Sequence, residues 1–86
     1  MLAWQVLYEC CGLVLDGKPH NFSLFGFVMA KDLDDLDRQV VRVAVEHPTI
    51  ALHEADLDSL IFNPHEVYER PDLGTLVAEE VEIEIE

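Results

Sequence analysis

Cys10 and Cys11 stand side by side, and His20, His47, His53 and His65 are the four imidazoles of the chain. Thiolates and imidazoles together could hold zinc, but such sites draw on spaced Cys-x-x-Cys or paired histidine elements, and neither spacing occurs. Neighbouring side chains on a strand point to opposite faces, so a disulfide between the two thiols would be strained. The expected roles are plainer. One cysteine packs in a core as a small hydrophobe and the other faces the opposite side, as suits a reducing compartment.

Nucleophilic catalysis fares no better. Ser23 and Ser59 lie in no strand-turn-helix elbow, and no glycine-rich loop offers an oxyanion site. His47 and His53 flank Pro48 and read as helix-end or edge histidines rather than as bases. The eighteen carboxylates could furnish a general acid and base anywhere, a signal with almost no specificity. No catalytic residue, metal or cofactor is assigned, and the chain is expected not to be an enzyme.

Charge says more. Residues 1–43 hold six acids and four bases, whereas residues 44–86 hold twelve acids and one base, a net −2 against a net −11. An imbalance of this size bears on solubility, steering and choice of partner, not on fold. It excludes direct nucleic-acid binding, because affinity for phosphate needs lysine and arginine to outweigh the acids. It points instead to a positively charged partner.

No apolar run approaches the roughly 18 to 20 residues that cross a bilayer. The N-terminus also shows no basic region or small-residue cleavage site of the signal-peptide kind. A basic polar face suited to anionic lipid is missing as well, so a cytoplasmic protein without membrane contact is expected.

These residues must be positioned by a small fold. Eighty-six residues, half of them hydrophobic, make one domain with a real but thin core. Leu2 to Leu15 reads as a strand with Leu2, Trp4, Val6, Tyr8 and Cys10 on one face and Ala3, Gln5, Leu7, Glu9 and Cys11 on the other. Gly12 marks a bulge that changes the phase for Leu13 and Leu15. Asp16-Gly17-Lys18-Pro19 is a hairpin turn, followed by a strand from about Asn21 to Ala30. Phe25, Phe27 and Met29 lie on one face of that strand and Phe22, Leu24, Gly26 and Val28 on the other. Both strands are apolar on both faces, as central or doubly covered strands are.

Asp32 then caps a helix, with Asp35 three residues on and Asp34 and Asp37 adding negative charge near the positive end of the dipole. Leu33, Leu36, Val40, Val43, Ala44 and His47 recur at spacings of three and four, and Val41 and Val45 widen this apolar stripe. Asp34 and Arg38 stand four apart in the order that favours an ion pair. Pro48 ends the helix. Beyond it, Thr49 to His53 reads as a short strand, Leu57 to Phe62 as a strand or a helical turn begun by Asp56, and Asn63-Pro64-His65 as a turn. Glu66 to Arg70 is a brief strand and Pro71-Asp72-Leu73-Gly74 a loop.

The last ten residues, VAEEVEIEIE, alternate without a gap, Val81, Ile83 and Ile85 against Glu80, Glu82, Glu84 and Glu86. The glutamates are roughly 7 Å apart along the strand. A half-buried strand needs a wet face, and charge on that face resists edge-to-edge aggregation. That accounts for the alternation. It does not account for every wet position being glutamate, since natural surfaces mix signs.

The expected architecture is one α+β domain over residues 1–86, an antiparallel sheet of three to five strands with one α-helix packed on one face, in the order β-β-α-β-(β)-β. The expected function is a non-enzymatic acidic protein-binding module that inhibits or regulates a basic partner, for instance by occupying a nucleic-acid-binding surface. Small phage-borne or mobile-element inhibitors and antitoxin-like proteins share this profile. The candidate partner-binding residues are Asp56, Asp58, Glu66, Glu69, Glu79, Glu80, Glu82, Glu84 and Glu86. The alternative is a structural module whose acidic surface serves solubility and which forms a homodimer or larger oligomer, with Trp4, Phe25 and Phe27 at the interface. A small enzyme or ligand-binding domain comes third.

Overall fold

The structure, a computed structural model, describes residues 1–51, 59–74 and 78–86. It is an α+β fold. Strand β1 (Leu2–Leu15) and strand β2 (Lys18–Ala30) are joined through Asp16 and Gly17, whose φ angles of 52° and 76° are the left-handed pair that a two-residue hairpin turn requires. β2 starts three residues earlier than the pattern indicates. Pro19 is tolerated because its ladder partner is Val14 and the strand beyond reaches only Phe22 to Phe27. Gly12, at φ 86°, sits where the β1–β2 register shifts between Cys10 and Leu13. The bulge carries Leu13 back to the face that holds Cys10, and both are buried.

Helix α1 (Leu33–Glu46) begins at Asp32, whose carboxylate accepts the Asp35 N–H at 2.8 Å. Asp35 in turn accepts the Lys31 N–H at 3.0 Å, so cap and first turn satisfy each other's donors. The Lys31 N–H, with a bond from Gln39 and the charge of Arg38 behind it, holds the Asp35 carboxyl below the usual carboxylate value. Leu36, Val40, Val43 and Ala44 are buried against the sheet, while Leu33 and Val41 at the margins of the stripe stay exposed. Arg38 reaches Asp35 at 3.4 Å rather than the expected Asp34.

Three readings of the sequence change. The expected strand Thr49–His53 is instead a helical turn, α2 (Pro48–Ala51), as far as Ala51; Leu52 and His53 lie outside the described residues. Proline suits the first helical position, and His47 starts the turn by accepting the Thr49 N–H on Nδ1 at 3.2 Å and the Ile50 N–H on its carbonyl at 3.0 Å. Second, Asn63-Pro64-His65 is no turn but the middle of strand β3 (Ile61–Glu69). An edge strand has one ladder side free for a proline, and the spare residue is taken up where the β1–β3 register shifts between Leu7 and Tyr8. Third, Pro71–Leu73 forms a 3-10 turn where a plain loop was expected. Of the ambiguous segment Leu57–Phe62, Ile61 and Phe62 belong to β3 and residues 57 and 58 lie outside the described residues.

Strand β4 (Glu80–Ile85) completes a four-stranded antiparallel sheet in the order β3-β1-β2-β4. The helices cover one face. Among the described residues, every buried member of the core cluster, from Trp4 to Ile50, comes from β1, β2, α1 or α2. Phe62, Val67, Val81, Ile83 and Ile85 pack against it from the edges without being fully buried. Cys10 is a free thiol in this core, where burial, and then the charge of Glu9, pushes its pKa up to about 12; Cys11 is free and half-buried. No helix among the described residues is long and apolar enough to cross a membrane.

Candidate functional site

Among the described residues, the other face of the sheet carries no helix. Its residues follow from strand alternation, and the register lines them up in rows across the four strands: Tyr68, Gln5, Phe27 and Glu80, then Glu66, Leu7, Phe25 and Glu82, then Asn63, Glu9, Ser23 and Glu84. Leu7, Phe25, Phe27 and Met29 are half-buried, and Tyr68 is exposed. With neighbouring strands about 4.8 Å apart, Glu66 and Glu82 stand roughly 14 Å from each other on either side of Leu7 and Phe25. The result is an apolar strip bordered by carboxylates. A shallow hollow of about 390 Å³ opens on it between Leu7, Phe25, Phe27, Glu66 and Tyr68. A second of about 300 Å³ lies between the two phenylalanines and Glu80 and Glu82.

Gly26 lets β4 come close enough to build this border. It sits opposite Val81 at φ 145°, and a Cβ there would run into the Glu80 carbonyl oxygen and the Val81 Cα. On the far side Arg70 reaches over the face. Its guanidinium carbon lies 5.9 Å from the Phe27 ring centroid, and Nη1 donates to Gln5 Oε1 at 2.6 Å. The same side chain is paired with Asp72 through bonds of 3.0 and 2.9 Å, which raise the arginine pKa and lower that of the aspartate.

The expected binding residues divide by position. Glu80, Glu82 and Glu84 form the continuous border along β4, and Glu66 faces them across the strip. Glu86 extends the border, with its N–H on the Asn21 carbonyl at 2.9 Å and Oε1 3.3 Å from Ser23 Oγ. Glu79 is engaged inside the fold. It takes two bonds from Arg42 Nη2, at 2.6 and 2.8 Å, and caps the Met29 N–H at 3.2 Å, so it ties α1 to the start of β4. Glu69 sits opposite Trp4, on the helix side of the β3 edge. Asp56 and Asp58 lie outside the described residues. Trp4, expected at an interface, is buried in the helix-side core with its indole N–H on the Ala30 carbonyl at 3.2 Å.

Sequence reasoning missed Glu9, Leu7, Tyr68 and Arg70. Glu9 lies in the middle of the face, 3.1 Å from Ser23 Oγ. Its alternation within β1 assigned it to the face of Leu7, but only the register of β1 against β2 and β3 brings that face together with Glu84 and Glu66. Among the described residues no group of three or more His, Cys, Asp or Glu could hold a metal ion. Comparison with protein-family models, with curated proteins and with solved structures finds no match to this chain.

Proposed function

We propose that this chain is a non-enzymatic, cytoplasmic protein-binding module that presents its uncovered sheet face to a basic partner and so inhibits or regulates it. The observation that carries the reading is the pairing of Glu80, Glu82 and Glu84 with Phe27, Phe25 and Ser23 across the β2–β4 ladder. A half-buried apolar strip thereby has a line of carboxylates along its flank. Interfaces use both parts: apolar contact at the centre supplies affinity, and charge sets encounter rate, register and choice of partner. The complementary surface carries lysine and arginine around an apolar centre. Grooves that hold nucleic-acid phosphates have that charge, and a module seated in one would exclude the nucleic acid.

The half-buried Leu7, Phe25, Phe27 and Met29 also favour a second reading, in which the face binds another copy of itself. Two such faces bring glutamates toward glutamates, so salt separates the readings. Self-association strengthens as ionic strength screens the repulsion, whereas binding to a basic partner weakens.

The test compares the parent with the triple variant Glu80→Lys, Glu82→Lys, Glu84→Lys, both shown folded by circular dichroism, against a basic prey recovered by pull-down. A close interfacial charge pair contributes about 1.5 kcal/mol or more, and like-charge contacts add a penalty, so the variant should bind orders of magnitude more weakly. Equal affinity would take the acidic strand out of the mechanism and leave the oligomeric reading.

A further inference from the structure

β4 is a sheet edge, and the phase of its ladder can be read directly. The Glu86 N–H bonds the Asn21 carbonyl, which makes that position a hydrogen-bonded pair. In an antiparallel ladder such pairs alternate, so Glu84, Glu82 and Glu80 turn their backbone toward β2 while Ile85, Ile83 and Val81 turn theirs away. The Glu79 cap on the Met29 N–H fits the same phase, since Met29 is the next inward-facing donor of β2 beyond the end of β4. Among the described residues no strand lies beyond β4. Its free side thus presents the N–H and C=O of Val81, Ile83 and Ile85, with the half-buried side chains of those residues on the helix side and the glutamates on the open face.

The two edges differ. β3 is interrupted by Pro64, which has no N–H, and by the shift of register beside it, both devices that blunt an edge. β4 pairs with β2 without interruption from Glu80 to Ile85. Its protection is charge of one sign. A second copy of β4 laid against it in antiparallel fashion would set glutamate against glutamate, which is destabilising. The same charge favours a strand of opposite sign.

We propose that the partner engages by adding an extended segment to β4 as a fifth, antiparallel strand, with lysine or arginine alternating with β-branched apolar residues. This rests on the acidic-module reading above and names its mode of contact. The partner's apolar residues fall opposite Val81, Ile83 and Ile85 in hydrogen-bonded pairs. Its basic residues fall opposite Glu82 and Glu84 at the non-hydrogen-bonded positions, where Cα atoms approach to about 4.5 Å and side chains meet most closely. Main-chain bonds give affinity and the alternating charge gives selectivity.

The experiment uses a fluorescent heptapeptide of alternating lysine and valine that begins and ends in lysine, and two copies of equal charge carrying N-methyl groups, one on the valine amides and one on the internal lysine amides. Antiparallel addition points the valine amides at β4 and the lysine amides at solvent. Methylating the valines should therefore weaken binding roughly tenfold or more, and methylating the lysines should leave it near the parent value. Amide exchange at Val81, Ile83 and Ile85 should slow when the unmodified peptide binds. Equal binding of both methylated peptides, or no slowing at those amides, overturns strand addition, as does failure of the unmodified peptide to bind at low salt. The triple-lysine variant of β4 tests the reading beneath it: if that variant binds the peptide as the parent does, the acidic face itself is not the recognition surface.

Discussion

The Tyr8 hydroxyl donates a 2.7 Å hydrogen bond to Asp37 Oδ1, joining the middle of the central strand to the second turn of the helix. Tyr8 is almost wholly buried, whereas Asp37 is exposed. The pair should be asymmetric under substitution. Tyr8→Phe returns Asp37 to water and should cost about 1 kcal/mol, while Asp37→Ala leaves a buried hydroxyl without its acceptor and should cost more, up to about 3 kcal/mol. Urea denaturation of the two single variants and the double variant checks this; equal costs that simply add would show that the bond is not coupled.

Val40 is fully buried between α1 and the sheet. Val40→Asp should cost roughly 3 kcal/mol or more, enough to unfold a small domain, because the new carboxylate has no partner there. Arg38→Ala should be nearly silent, since its 3.4 Å contact with Asp35 is made by a side chain that remains largely in solvent. Thermal melts showing both variants equally stable would refute the assignment of the helix face.

Stability should fall on the alkaline side. The Cys10 thiol pKa is raised from 9.0 to about 12, and that of Tyr8 is raised above 10.0 by burial first and its bond to Asp37 second. Both groups hold their protons more tightly folded than unfolded, so their contribution is complete below pH 9 and is lost as pH rises from there through the folded values. Denaturant midpoints compared at about pH 8 and about pH 10.5 should drop in the parent and drop less in the Cys10→Ala, Tyr8→Phe double variant.

Gly26→Ala should act locally. The new methyl group meets the Glu80 carbonyl oxygen, and φ 145° disfavours any side chain. A cost of about 2 kcal/mol or more is expected, with amide exchange accelerated at Glu80, Glu82 and Glu84 and little changed along the β1–β2 ladder. Uniform acceleration across the sheet would contradict the local effect.

The hairpin and helix were legible because their signals are local: Asp16-Gly17 for the turn, Asp32 with Asp35 for the cap, and period-two alternation for β4. What was not legible depends on neighbours distant in sequence. Pro64 looks like a turn residue until it is known to lie on an edge with a bulge to absorb it. Thr49-Ile50 looks like the start of a strand until His47 is seen to supply two acceptors to the next turn. Five of the proposed acids, Glu66, Glu80, Glu82, Glu84 and Glu86, do share the uncovered face, but their apolar neighbours came from register, and Glu79 carries nothing in its sequence context that ties it to Arg42.

Among the described residues, the fully buried members of the core cluster all fall between Trp4 and Ile50, while the glutamates of the open face, Glu9 apart, fall after them. The core and the acidic border are therefore written in consecutive stretches of one chain, while the apolar strip of Leu7, Phe25 and Phe27 lies on the strands that also supply the core. A substitution scan scored only for folding should tolerate changes at Glu80, Glu82 and Glu84 far better than at the core positions of β1, β2 and α1, with Gly12 and Gly26 the points where an added side chain would meet the later stretch, at Ser59 and at Glu80. A lineage could exchange the acidic border for another chemistry and keep the same scaffold.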